Sequence, residues 1–192
     1  MPTLYIISGC NGAGKTTASF TLLPEMLNCR EFVNADSIAA GISPFQPEKV
    51  AFEAGRMMLE RINQLIRAGT DFAFETTLST KSYREKIKHC KKKGYKIILL
   101  YFWLSSPLLA IERIKGRVRK GGHFVPDHVV KRRYERGLIN LFRIFIPEVD
   151  SFFVINNSGQ TPSLIAKGGT LSVVVYDRKT WNQLKSFYDE NE

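Results

Sequence analysis

Residues Gly9 to Thr16 read Gly-Cys-Asn-Gly-Ala-Gly-Lys-Thr, which matches the phosphate-loop pattern GxxxxGK[ST] in full. The setting constrains the fold more than the pattern does. Thr3 to Ser8 (TLYIIS) is a short apolar, β-branched run, so it reads as a buried strand. Lys15 to about Leu23 reads as a helix stopped near Pro24. A strand, a glycine loop and a helix in that order turn backbone N–H groups around an anion at the positive end of the helix. Gly9, Asn11, Gly12, Ala13 and Gly14 then line the phosphates, with Thr17 in the first helical turn beside them. Lys15 reaches the β- and γ-phosphates as a point charge, and the Thr16 hydroxyl is a magnesium ligand. The expected ligand is ATP or GTP with Mg²⁺.

The rest of the chain repeats the alternation. Glu31 to Val33, Phe72 to Thr76, Tyr95 to Leu104, Phe152 to Ile155 and Leu171 to Tyr176 read as further strands. Helical patterns run from Pro47 to Ala68, Thr80 to Lys93, Ser106 towards Gly121-Gly122, Pro126 to Phe145, and Thr180 to Tyr188. Gly159 to Gly169 reads as the loosest loop. This predicts one α/β domain over residues 1–192, a three-layer phosphate-loop NTPase fold with a mainly parallel sheet of five to six strands.

Composition excludes other classes. Hydrophobic residues are 44% of the 192, too many for a disordered chain at this charge. The longest apolar run, Ile97 to Leu104, is eight residues, well short of the about 20 that span a bilayer. No basic residue precedes the first apolar run, so it does not read as a signal peptide. Three cysteines without a CxxC pair point to reduced thiols in a cytoplasmic protein.

Two carboxylates fall where parallel strands open onto a ligand crevice. Asp36 follows the second strand (FVNAD) and can take a proton from an attacking hydroxyl. It can equally cap a short helix in NADSIAA, as can Ser37. Glu75 ends the third strand (FAFETT) and can hold Mg²⁺ through water or bind substrate hydroxyls.

The net charge of +10 is concentrated. Lys81 to Arg136 holds 17 Lys+Arg against four acids, and the remainder is slightly acidic. Lys86, Lys88, Lys91, Lys92, Lys93 and Lys96 ring one helix and its end, reading as a solvated face or a nucleic-acid patch. Arg113, Arg117 and Arg119 precede Gly121-Gly122-His123, which reads as a helical lid over phosphates, spanning about residues 113–133. Arg132, Arg133 and Arg136 continue the basic supply on the next helix.

GCNGAGKTT, FVNADSIAAGISPFQPEKVAFEAGRMMLERI, DFAFETTLS, AIERIKGRVRKGGHFVP and KRRYERG together resemble the zeta-toxin-like phosphate-loop kinases, from about Leu4 to Ser158. The resemblance implies phosphorylation of a hydroxyl of UDP-N-acetylglucosamine by ATP or GTP, and an antitoxin partner that blocks the nucleotide site. It implies Lys15 and Thr16 as phosphate and Mg²⁺ contacts, Asp36 as general base, and Arg113 as the first lid arginine. Glu75 and Thr77 fall where the family binds the sugar nucleotide. Two departures stand out. The family's Glu-Gly-Thr-Leu-Arg segment is here Glu75-Thr76-Thr77-Leu78-Ser79, and its second lid arginine lines up with His123, with Arg119 nearby. The acceptor side is therefore the part this chain has altered. The expected activity is phosphoryl transfer to a small anionic hydroxyl compound. A polynucleotide-end kinase and a nucleotide-dependent interaction module for nucleic acid or protein remain the alternatives.

Overall fold

β1 (Thr3–Ser8) is buried from Leu4 onward, and its two neighbours explain why it is apolar throughout. It pairs in parallel with β3 (Phe72–Thr76) on one side and β4 (Lys96–Trp103) on the other. β2 (Phe32–Val33) pairs with β3, and β5 (Ser151–Asn156) with β4, both again in parallel. The computed structural model describes residues 1–190 and completes a seven-stranded sheet in the order β2-β3-β1-β4-β5-β6-β7. The two added strands, β6 (Ser163–Gly169) and β7 (Val173–Val175), are antiparallel.

The seven strands exceed the expected five to six, and the difference is β6. The segment from Gly159 to Gly169 contains a paired strand, with Ile165 and Ala166 fully buried. Its glycines are places of close approach. A Cβ on Gly168 would lie 2.6 Å from the Ser172 carbonyl and 2.9 Å from the Phe152 ring, and one on Gly169 would lie 2.6 Å from the Asp150 carbonyl.

The helices flank this sheet. α1 (Lys15–Thr21) continues through a π turn at Leu22–Met26 that accommodates Pro24. α2 (Ala35–Ile42) follows β2, and α3 (Ala51–Ala68) follows a 3₁₀ turn at Pro47–Val50. α3 buries Ala54, Met58, Ile62, Leu65 and Ile66 on one face and ends at Gly69 with φ 65°. α4 (Tyr83–Lys92) leads into β4. α5 (Pro107–Val118) starts at Ser106, whose hydroxyl accepts from Leu109 N–H. α6 (Asp127–Asn140) runs through a π turn, Leu141–Phe145, into the short α7 (Ile146–Glu148). α8 (Arg178–Glu190) closes the described chain, its Trp181 ring stacked on Phe152.

Parallel pairing of β1 to β5 sends the connections after β1, β2 and β3 out of one sheet edge, where the site forms. The lysine cluster leads to the opposite edge, because α4 returns the chain to the start of β4 at Lys96. There Lys91 donates to the Glu148 carbonyl and pairs with Asp150, and Lys86 donates to Asn63. Among the described residues no helix is long and apolar enough to cross a membrane.

Candidate active site

The phosphate loop is held in a shape that only glycine allows at three points: Gly9, Gly12 and Gly14 have φ of 136°, 79° and 82°. At Gly12 a Cβ would also press against the Ala110 carbonyl of α5 at 2.7 Å. Asn157, just beyond β5, braces the loop by donating to the Ala13 carbonyl at 2.7 Å and fills the space a Gly14 side chain would need. The Cys10 thiol, buried in the loop, is pushed up to about 11 by desolvation, so it stays a neutral packing group.

Lys15 is only 5% exposed; it donates to the Cys10 carbonyl at 2.9 Å and lies 3.4 Å from Glu75 Oε1. Thr16 Oγ1 donates to Glu75 Oε2 at 2.7 Å, and Asn34 Nδ2 donates to the same oxygen at 2.7 Å. Residues from α1, β3 and the end of β2 thus meet in one network. Asn34 works twice, because its Oδ1 accepts from the N–H groups of Asp36 (2.8 Å) and Ser37 (3.2 Å). The cap of α2 is therefore Asn34 rather than Asp36 or Ser37, and the Asp36 carboxylate is left free to face the cleft.

Two cavities meet at this network. The larger, about 800 Å³, lies over the phosphate loop and is walled by Thr16, Thr17, Arg113, Arg117 and Lys120. The smaller, about 230 Å³, is walled by Met58, Thr77, Ser79, Thr80, Tyr83 and Arg133. Asn11, Lys15, Asn34, Asp36 and Glu75 line both. The Thr77 and Ser79 hydroxyls are 2.9 Å apart. Their loop is drawn tight between helices: Leu78 is buried at φ 56°, its carbonyl accepts from Asn140 of α6, and Gly137 approaches the Thr77 carbonyl closely.

The residues expected to form a lid divide. Arg113 donates to the Ser158 carbonyl at 3.0 Å and Arg117 to the His123 carbonyl at 2.9 Å, while both line the larger cavity. Arg119 is exposed and lines neither cavity; Lys120, next to it, does line the larger one. His123 turns away from the phosphate loop, with Nδ1 4.0 Å from Glu48 Oε2, in a hollow shared with Asp36 and Pro47. Among the described residues no cluster of three or more His, Cys, Asp or Glu is placed to hold a metal.

Three residues of the site escape a reading of the sequence alone. Asn34 carries a signal, since Asn is a favoured N-cap and directly precedes the helix. Asn157 follows a strand terminus at the ligand edge. Nothing local separates Arg133 from Arg132 or Arg136; only the fold sets it in the cavity, 3.0 Å from Asn11 Oδ1.

The profile of the zeta toxin family matches residues 1–162. An uncharacterized protein of Haemophilus influenzae is 33% identical over 127 residues, covering 66% of this chain and 88% of its own length. A structure of the AvrRxo1-ORF1:-ORF2 complex with ATP superposes with a TM-score of 0.77 at 16% identity, over 97% of this chain. This chain spans 64% of the length of that protein. A structure from the PezAT chromosomal toxin–antitoxin system of Streptococcus pneumoniae superposes with a TM-score of 0.66 at 14% identity, over 99% of this chain and 87% of its own. At such identities the superpositions establish the fold, and the profile match establishes the kinship: the chain belongs to the zeta toxin family and has the fold of its phosphate-loop kinases.

Proposed function

We propose that this protein transfers the γ-phosphoryl group of ATP to a hydroxyl of a small acceptor. The observation that carries the reading is the wall common to the two cavities, where Lys15 and Asp36 stand between a phosphate cradle and a hydroxyl-lined pocket. A donor in the larger cavity and an acceptor in the smaller one would have their reacting ends at that wall, which is the proximity that phosphoryl transfer needs.

The residues suit Mg²⁺ as well. Thr16 Oγ1 and Glu75 Oε2 are hard oxygen donors 2.7 Å apart beside the loop, and Mg²⁺ takes one or two such groups together with water and phosphate oxygens. When bound, the ion neutralises charge on the β- and γ-phosphate oxygens. Lys15 exchanges its contacts with the Cys10 carbonyl and Glu75 for phosphate oxygens. Arg113, Arg117 and Lys120 draw the lid down on the same oxygens. Asp36, held at the first turn of α2 by the Asn34 cap, accepts the proton of the attacking hydroxyl. Glu75, Thr77 and Ser79 orient the acceptor's other polar groups.

The zeta toxin kinship makes a UDP-sugar the first acceptor to try and an antitoxin polypeptide over the nucleotide cleft the first partner, both in the cytoplasm where ATP is abundant. The test is mass spectrometry of a cell extract incubated with ATP, Mg²⁺ and either the natural protein or its Asp36→Ala variant, with UDP-N-acetylglucosamine as a separate arm. A phosphorylated metabolite made only by the natural protein is expected. No phosphorylated product in any arm would sink the kinase reading, and equal product from Asp36→Ala would remove the base.

A further inference from the structure

We infer that Arg133 of α6 is a catalytic residue, the guanidinium that grips the phosphoryl group from the acceptor side as it leaves the donor. The inference rests on the kinase reading above and adds a contact to it.

Arg113 and Arg117 of α5 line the larger cavity alone. In the smaller cavity the lining cations are Lys15 and Arg133, and Lys15, on the common wall, serves the donor's phosphate oxygens in the kinase reading. The common wall carries two carboxylates, Asp36 and Glu75. A migrating phosphoryl group, itself anionic, approaches the Asp36 carboxylate as the acceptor oxygen bonds to phosphorus, the bond to the ADP oxygen breaks and the hydroxyl proton passes to Asp36. Without a positive group on that side, like charges meet at the moment of transfer.

Arg133 is placed for this. Its Nη1 donates to Asn11 Oδ1 at 3.0 Å, and Asn11 belongs to the phosphate loop and to both cavities. Asp36 lines the same cavity, and its charge favours the guanidinium. A guanidinium has five N–H donors. Among the described residues Arg133 spends one hydrogen bond on a neutral amide and makes no ion pair within 4 Å. Partial burial lowers its pKa. Two anionic oxygens of a phosphoryl group match the unused donors in a bidentate way. The helix is held to this position: Gly137 and Asn140, one and two turns further along α6, grip the Thr77–Leu78 backbone, and Tyr134 donates to the Leu104 carbonyl.

The test needs no acceptor. Calorimetry gives the affinities of Mg·ATP and Mg·ADP for the natural protein, Arg133→Ala, Arg133→Lys, and Arg132→Ala, which removes the same charge from the exposed side of the helix. Arg133→Ala is expected to lower the ATP-to-ADP affinity ratio roughly tenfold while ADP binding stays unchanged. Arg132→Ala is expected to leave the ratio intact. Arg133→Lys, which preserves the packing should the alanine variant fail to fold, is expected to lose about threefold. An unchanged ratio in Arg133→Ala, an equal loss of ATP and ADP binding, or an equal effect in Arg132→Ala overturns the inference. Tight ATP binding by a protein that phosphorylates nothing would instead tell against the kinase reading and leave the Arg133 contact standing.

Discussion

The two cavities are built by different means. The floor of the proposed donor side is backbone, with eight consecutive residues from Gly9 to Thr16 bent by three glycines of positive φ and wedged between β4 and α5. The proposed acceptor side is made of side chains drawn from α2, α3, the loop after β3, α4 and α6. Backbone N–H groups recognise phosphate whatever the neighbouring side chains are, so the donor side tolerates little change. A pocket of side chains changes specificity with each substitution, and Ser79 stands in that pocket at the position where the family pattern has arginine.

Substitutions can pull the two sides apart. The largest effect is expected from Gly9→Ala, whose Cβ would collide with the Phe102 carbonyl at φ 136°. Strain and overlap together should cost about 3 kcal/mol or more, read as a collapse of the urea midpoint and loss of nucleotide binding. Gly137→Ala attacks the acceptor side alone, since its Cβ would lie 2.5 Å from the Thr77 carbonyl. A loss of about 1–3 kcal/mol is expected. The acceptor KM should rise while Mg·ATP affinity stays within about twofold; an equal fall in both would show the two sides to be one rigid unit. Asn34→Ala should touch both sides, removing the cap of α2 and a donor to Glu75. About 1 kcal/mol of stability should go, visible in thermal unfolding, with turnover falling further than stability.

The last effect, negligible at neutral pH, is a dependence on pH. Burial pushes the Cys10, Cys29 and Cys90 thiols up to about 11, above the 9.0 ordinary for a thiol. The folded state therefore keeps these protons after the unfolded chain has released them. The thiols' contribution is fully present below about pH 9 and is lost as pH rises from there towards 11. Urea midpoints flat between pH 7 and 8 and declining above about 9 are expected. Thiol reagents at pH 8 should label the native protein slowly.

Some of this is legible locally and some is not. The strand–loop–helix unit at Thr3–Thr21 can be read residue by residue, because a phosphate loop is defined by adjacent residues. Ser106 as a helix cap and Gly69 as a helix end follow from local chemistry too, and the alternation of strands and helices implies parallel pairing. β6 reads as a loop because its glycines, which usually mark turns, here admit the Phe152 ring of β5 and the Asp150 carbonyl just before it. Asp36 can be seen as cap or base from the sequence; the cap is taken by Asn34, two residues earlier.

The sequence by itself determined the phosphate cradle, the α/β alternation and the family, since each is written in contiguous residues and their spacing. Only the tertiary structure decided which arginines reach the site. Arg113, Arg117 and Arg133 line cavities while Arg119 faces solvent and His123 turns to Glu48. The physical reason is that a helix presents one side to its neighbours, and which basic residue falls on that side is set by how α5 and α6 pack against the sheet and the Thr77 loop.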